Sequence, residues 1–408
     1  MKLSTLEQAM LKGDLGPGVR KAMEIVVALG QIFDAQRLVE VNSVQVAGVS
    51  YRNLGEAGLE FLREWADQNV QVRVPTTLNP AGIDLRAWRE LGFSESFARR
   101  QRAVVEAYQR LGIRATCTCT PYLVGNTPHL GEHIAWAESS AVSYANSVLG
   151  ARTNREGGPS ALAAAITGRT PAYGLHLDEN RRAALLVDVR RPLRSISDFG
   201  ALGYLVGKAA QNRTPYFVGL EIGRGKAAPL LKALGAAMAA SGAVALYHVA
   251  GVTPEADRPD ALISDHETLI VDDLQPAYDA LNSEAHQIDL AWFGCPHAGL
   301  EEIAEVARLL AGRRARAALW ITTARETRER AEAEGLVGAI EASGGRVAAD
   351  MCAVVAPMQE LPFRTLATPS AKGAVYIPSH AGLLVRYGTV EQCVEAAVSG
   401  AWPGAERL

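Results

Sequence analysis

Short apolar runs alternate along this chain with longer stretches whose apolar positions recur at helical spacing. That alternation is the signature of α/β architecture, in which strands feed helices that pack back onto a sheet. The pattern predicts strands at 40–48, 70–78, 113–120, 172–177, 183–189, 216–222 and 243–249, then at 269–274, 288–294, 317–323 and 346–351. Among the helical stretches, FGALGYLVGKAAQN follows Ser197 and Asp198, a capping region. GLEEIAEVARLLAGR carries an apolar stripe and a charged outer face. RETRERAEAEGLVGAIEASGG is longer, charged early and closed by Gly-Gly.

No fixed-period repeat is present, which excludes a solenoid. The polar loop 253–267 and the GRTP segment at 168–171 are the weak breaks in the pattern. The first divides the chain into an N-terminal α/β region, 1–265, and a C-terminal α/β region, 266–408. A chain of 408 residues is too long for one core and suits two or three such units.

Charge and composition remove several classes of function. Lys plus Arg is 41 and Asp plus Glu is 44, a net of -3, so no basic excess points to nucleic acid. Aromatics at 6% leave little for base-stacking platforms. No apolar run approaches the ~20 residues that span a bilayer. MKLSTLEQAMLKGD at the N-terminus reads as a capped amphipathic helix and lacks the features of a signal peptide. Five cysteines are too few and odd in number for a disulfide framework. The expectation is a soluble, cytoplasmic protein with no membrane or nucleic-acid partner.

The cysteines carry the most specific chemistry. Cys117 and Cys119 lie in TCTCTPY, at the end of the run 113–120, where residues two apart on a strand share a face. Cys295 in FGCPHAG and Cys352 in ADMCAVVAP also follow apolar runs. Strand ends are where α/β proteins bind ligands. Cys393, inside VEQCVEAAVSG, reads as helix core. Two readings stand for the strand-end trio. Cys119, Cys295 and Cys352 suit an iron–sulfur cluster with one iron left open as a Lewis acid. Equally, buried free cysteines pack as small hydrophobes, and the spacing alone favours that. Zinc is the runner-up metal, although no CxxC or histidine pair supports it.

Other stretches offer binding groups. Glu138, Ser139 and Ser140 open the helical pattern AVSYANSVLG, whose first N–H groups favour an anion. Arg155, in NREGGPS, has the fork that clamps a carboxylate or phosphate, or it forms an ordinary surface ion pair. Gly48, Ser50, Thr77, Asn79 and Gly82 lie in AGVSYRN and TTLNPAG, which are either ligand loops or plain turns. Lys372, in TPSAKGAVY, binds an anion or stands in solvent. His129, His133, His176, His248 and His297 are scattered, and His297 lies two residues from Cys295, close enough to support it. GLEIGRGKAAP lacks P-loop spacing, and no Gly-x-Ser-x-Gly elbow is present.

Taken together, these stretches resemble the aconitase X family, specifically its large, catalytic subunit. The resemblance runs from GPGVRKAMEIVVALG, VQVAGVSYRNLGEAGLEFL and TTLNPAG through CTPYLVGNTPHLGEHIAWAESSAVSYANSVLGARTNREGGPSALAAAITGRTPAYGLHLDENR to FGCPHAG, MCAVVAPM and SAKGAVYIP. It implies aconitase-like α/β units around an iron–sulfur site, with Cys119, Cys295 and Cys352 as cluster ligands and Cys117 as packing. The cluster type, 4Fe-4S, 3Fe-4S or 2Fe-2S, stays open. It further implies substrate contacts from Gly48, Val49, Ser50, Asn79, Pro80, Glu138, Ser139 and Lys372. One departure is Pro369, where the family pattern has Asn, at the mouth of the Lys372 loop. Nothing after SAKGAVYIP resembles the swivelling domain of aconitase-like enzymes, so the resemblance implies a small-subunit partner that supplies it, and with it the general base. The reaction implied is loss of water from a small hydroxy acid. Two substrates fit, cis-3-hydroxy-L-proline and mevalonate 5-phosphate. The 13 Gln and five Cys, residue types that heat disfavours, tip the expectation to the first. A reading of another class is a non-catalytic homologue that binds a metabolite or partner, against which the intact cysteine trio argues.

Overall fold

In the computed structural model, which describes residues 1–223 and 227–403, the strands gather into four sheets. The middle of the Gly-rich GLEIGRGKAAP stretch, 224–226, lies outside the described residues. Near the N-terminus, Thr76–Leu78, Val44–Val46 and Ala135–Trp136 form a three-stranded parallel sheet in that spatial order. Every residue of these strands is buried, as expected of a parallel sheet covered on both faces. Leu38–Glu40 pairs antiparallel with Arg169–Pro171 beside it. The GRTP segment is therefore a paired strand and not a linker. The helix Thr5–Lys12 begins as the sequence predicts, with a reciprocal Ser4–Glu7 capping box.

The middle of the chain builds a four-stranded parallel sheet, ordered His248–Val249, Pro215–Val218, Ala183–Val189, Leu262–Val271. The boundary expected at 265 falls inside the last of these strands. The C-terminal sheet is five-stranded and parallel, ordered Arg346–Ala349, Ala318–Thr323, Leu290–Phe293, Thr365–Thr368, Leu384–Tyr387. The chain starts at the central strand, winds out to one edge, then crosses back to fill the other side. That reversal opens a crevice at the carboxyl end of Leu290–Phe293.

Several expectations change. The run 113–120 is not a strand. Arg114 makes a single bridge to Thr77, and Cys117 then takes a left-handed φ of 43°. The shared-face argument for Cys117 and Cys119 therefore fails. Residues 172–177 contain the short 3-10 turn Gly174–His176 in place of a strand. RETRERAEAEGLVGAIEASGG divides at Gly335 (φ 78°) into the helices Arg325–Ala333 and Leu336–Ala342.

Candidate functional site

Two parallel sheets direct their carboxyl ends into one cavity of about 260 Å³. From the three-stranded sheet, Ala47 follows Val44–Val46, Asn79 and Pro80 follow Thr76–Leu78, and Glu138 follows Ala135–Trp136. From the five-stranded sheet, Cys295 follows Leu290–Phe293 at the switch point, Cys352 follows Arg346–Ala349, and Lys372 follows Thr365–Thr368. Cys119 completes the lining from the irregular segment beside Leu78, where Thr118 N–H donates to the Leu78 carbonyl at 2.9 Å. Close approach of the backbone is required here. A Cβ on Gly158 would stand 2.8 Å from the Ala47 carbonyl oxygen. A larger cavity of about 350 Å³, beside Tyr122 and Lys232, contains none of the three cysteines.

The thiols of Cys295 and Cys352 hydrogen-bond to each other, which pulls Cys295 down and pushes Cys352 up. Burial, and then the Glu138 carboxylate, push the Cys119 thiol up to about 12. Its sulfur accepts the backbone N–H of His297 at 3.1 Å. The His297 ring is fully buried and binds two further segments. Nε2 lies 2.7 Å from the Met351 carbonyl and Nδ1 lies 3.0 Å from Thr118 Oγ1. A carbonyl only accepts, so Nε2 carries the proton and Nδ1 accepts from the threonine. Burial lowers the imidazole to about 4, which keeps it neutral. His297 thus joins the segments that bear all three cysteines.

Lys372 and Glu138 form an ion pair at the cavity floor, each less than one-tenth exposed. The ammonium also lies 3.1 Å from Ser140 Oγ and 3.4 Å from Ser139 Oγ. Burial opposes its charge, but Glu138 and the neighbouring cysteines outweigh that and raise the ammonium above its ordinary value. Burial likewise opposes the Glu138 carboxylate. Lys372, the Ser140 hydroxyl and the Ala141 N–H, which donates at 2.7 Å, hold it below the ordinary carboxylate value. Glu138 is also the cap of the helix Ser139–Ser147, as the sequence predicts. Pro369 does not displace Lys372 from the site.

The remaining expected residues divide. Asn79 and Pro80 line the cavity, and Asn79 Oδ1 is buried without a hydrogen-bond partner. Ser139 lines it, and Arg155 stands exposed at its mouth. Half-exposed Gly48 and buried Val49 and Ser50 directly follow Ala47 of the cavity wall. Val49 is in the N-terminal core, and Ser50 Oγ donates to the Val355 carbonyl at 2.7 Å. Cys117 and Cys393 are buried in core clusters away from the cavity. His133 and His176 pair through Nδ1 atoms at 2.9 Å, outside the site.

Sequence reasoning missed two sets of residues. Tyr376 and His380 line the cavity wall one and two turns beyond Lys372 on the helix Ala371–Ala381, a spacing that was there to be read. Arg325 bridges Asp84 and Asp350, two buried carboxylates. Burial alone would raise the Asp84 carboxyl, but Arg325 and three backbone N–H groups hold it low. Asp350 stands two residues before Cys352, and Ala81 N–H donates to its carbonyl at 2.7 Å. This ion triad therefore joins the Asn79–Pro80 loop to the Cys352 loop.

Among the described residues, no three His, Cys, Asp or Glu side chains converge tightly enough to hold a single metal ion. A cluster is larger than an ion, and each thiolate binds its own iron. Three thiols from three loops, set around one cavity beside an unpartnered amide oxygen, fit an iron–sulfur cluster better than zinc.

Three family models match in series: the aconitase X first domain over 1–179, second domain over 183–279 and third domain over 288–399. The chain belongs to the aconitase X family. The aconitase X of Thermococcus kodakaraensis, solved as its holo-form, superposes with a TM-score of 0.90 at 46% identity, covering 97% of this chain and 100% of that one. The phosphomevalonate dehydratase large subunit of Methanothermobacter thermautotrophicus is 52% identical over 93% of this chain and 95% of its own length. The cis-3-hydroxy-L-proline dehydratase of Pseudomonas aeruginosa is 39% identical over 98% of this chain and 71% of its own length. Dehydratases are hydro-lyases, and this aconitase X chain is a hydro-lyase. No helix among its described residues is long and apolar enough to cross a membrane.

Proposed function

We propose that this chain is the large subunit of a phosphomevalonate dehydratase, converting mevalonate 5-phosphate to trans-anhydromevalonate 5-phosphate. The observation that carries the hydro-lyase chemistry is the single cavity that gathers Cys119, Cys295 and Cys352 beside the Lys372–Glu138 pair. The preference between substrates rests on identity: four phosphomevalonate dehydratase large subunits stand at 46–52%, above two hydroxyproline dehydratases at 39% and 35%, while a fifth such large subunit stands at 35%. That order reverses the expectation drawn from glutamine and cysteine content, which reports on heat and not on the ligand.

Cys119, Cys295 and Cys352 would hold an iron–sulfur cluster, and an iron without a protein thiolate supplies Lewis acidity toward the departing hydroxyl. In the elimination, a C–H bond α to the carboxylate and the β C–O bond break, a C=C bond forms, and water leaves. Lys372, whose charge Glu138 shares, and the first N–H groups of the helix Ser139–Ser147 that Glu138 leaves free donate hydrogen bonds to the carboxylate as charge builds on it. Asn79 Oδ1 accepts from a substrate hydroxyl. Glu138 is committed to Lys372 and three other donors, so it holds no proton to give. The base that takes the α proton comes from a small-subunit partner carrying the swivelling domain, with a serine as the candidate. Relatives named as large subunits support such a partner.

The test is anaerobic co-expression with the small subunit, followed by iron analysis and parallel assay of mevalonate 5-phosphate and cis-3-hydroxy-L-proline. Brown protein active on the first supports the proposal. Activity on the second alone moves the substrate, and iron-free, inert protein defeats the cluster assignment.

A further inference from the structure

The cavity has a floor and a mouth of different character. Its floor holds the cysteines and Lys372, all but Cys352 less than one-tenth exposed, and the Lys372 charge is met there by Glu138. A second negative group on the substrate therefore finds no uncommitted cation at the floor. At the mouth stand Arg155 and His380, both exposed, with Tyr376 on the wall between Lys372 and His380. Eight residues of helix separate Lys372 from His380, roughly 12 Å of rise.

Arg155 makes no side-chain hydrogen bond or ion pair among the described residues, while the backbone around it is fixed. Glu156 N–H donates to the Trp136 carbonyl at 3.0 Å. Asn154 accepts from Leu175 N–H at 2.9 Å and donates to the Tyr173 carbonyl at 3.0 Å. Gly157 N–H donates to Ser160 Oγ at 2.9 Å. An unpaired guanidinium is thus held on a rigid base over the cavity. His380 turns Nδ1 back to its own helix, 3.1 Å from the Tyr376 carbonyl, which leaves Nε2 without a partner among the described residues.

We propose that Arg155, Tyr376 and His380 form a distal anion subsite that binds a terminal phosphate monoester while the carboxylate end lies at the floor. The inference deepens the proposed function and rests on it for the identity of the phosphorylated substrate. Arg155 takes two phosphate oxygens with its fork, the Tyr376 hydroxyl donates to another, and His380 Nε2, unprotonated because Nδ1 donates to the Tyr376 carbonyl, accepts the P–O–H proton of the phosphate monoanion. The subsite sets specificity and touches no reacting atom.

The experiment compares wild type, Arg155→Gln and Arg155→Lys, each as the holoenzyme with its small subunit. It reads KM and kcat for mevalonate 5-phosphate, kcat/KM for unphosphorylated mevalonate, and inhibition by inorganic phosphate. Losing one charge-assisted contact should raise KM for the phosphorylated substrate by roughly 10- to 100-fold with kcat little changed. Arg155→Lys should fall between, mevalonate should be unaffected, and phosphate inhibition should weaken in parallel. An unchanged KM in Arg155→Gln, with wild type active on the phosphorylated substrate, overturns the subsite and leaves the function standing. Wild type that is inert on that substrate yet binds inorganic phosphate in an equilibrium titration, with binding lost in Arg155→Gln, overturns the function and upholds the subsite. Absence of phosphate binding in an inert wild type overturns both.

Discussion

The backbone N–H of His297 donates to Sγ of Cys119 across 3.1 Å, although one residue follows a strand of the five-stranded sheet and the other lies on the irregular segment beside the three-stranded one. The His297 ring adds bonds to Thr118 and Met351, neighbours of Cys119 and Cys352. Replacing His297 by Ala leaves the Met351 carbonyl without its partner in a buried site and takes one of the partners of the Thr118 hydroxyl, which keeps Thr120. The expected cost is about 2–4 kcal/mol in urea unfolding of the iron-free chain. Iron bound after anaerobic reconstitution should fall as well. Wild-type stability together with full iron content would remove His297 from its connecting role.

Glu138→Gln strands the Lys372 ammonium in a buried site. We expect a loss of about 3 kcal/mol near neutral pH. The sign with pH follows from the shifts. Glu138 is held below its ordinary value of 4.5, so its contribution is complete above that value and lost as pH falls through the lower folded value. Lys372 is raised above 10.5, so its contribution is complete below that value and lost as pH climbs through the raised one. Unfolding curves at neutral and acid pH should therefore show the gap between wild type and variant closing on the acid side. A gap that stays constant down to strong acid contradicts the assignment.

Arg325→Ala leaves Asp84 and Asp350 facing each other without a cation. The expected destabilisation is about 3–5 kcal/mol. Because Asp350 leads into Cys352, the Cys352 thiol of the iron-free chain should react faster with a thiol reagent than in wild type. Peptide mapping of the labelled site separates this from general loosening, which would label Cys393 equally.

Substituting Cys119, Cys295 or Cys352 by Ala should abolish iron binding one residue at a time, whereas Cys117→Ala should keep it. Cys117 is fully buried in the N-terminal core, so its loss should cost about 1 kcal/mol of stability and no iron. Iron retained by Cys295→Ala, with full activity, would refute the ligand set.

What the sequence reveals follows the range of the interaction. Cys295 and Cys352 are readable because each follows a buried apolar run, and strand exits are local features. Cys119 is placed at the cavity for a reason the structure does not support, since the left-handed turn at Cys117 removes the strand on which the argument stood. The strands Thr365–Thr368 and Leu384–Tyr387 escape notice, although Leu290–Phe293 and Arg346–Ala349, equally short, are predicted. Glu138 as a cap is local and legible, whereas its bond to Lys372 depends on how two sheets meet. The Asp84–Arg325–Asp350 triad is invisible for the same reason. The bond from Ser50 Oγ to the Val355 carbonyl is likewise long-range, so no local pattern announces it.

The meeting of two carboxyl edges also bears on how the protein is made. Cys119 is made well before Cys352, with 232 residues between them. The cluster site we propose cannot exist on a nascent chain that has not yet extended past Cys352. Until then Cys119 has at most Cys295 beside it, so the full set of thiols forms only once Cys352 has been made. A chain truncated between Cys295 and Cys352 should take up no cluster even in the presence of the assembly machinery.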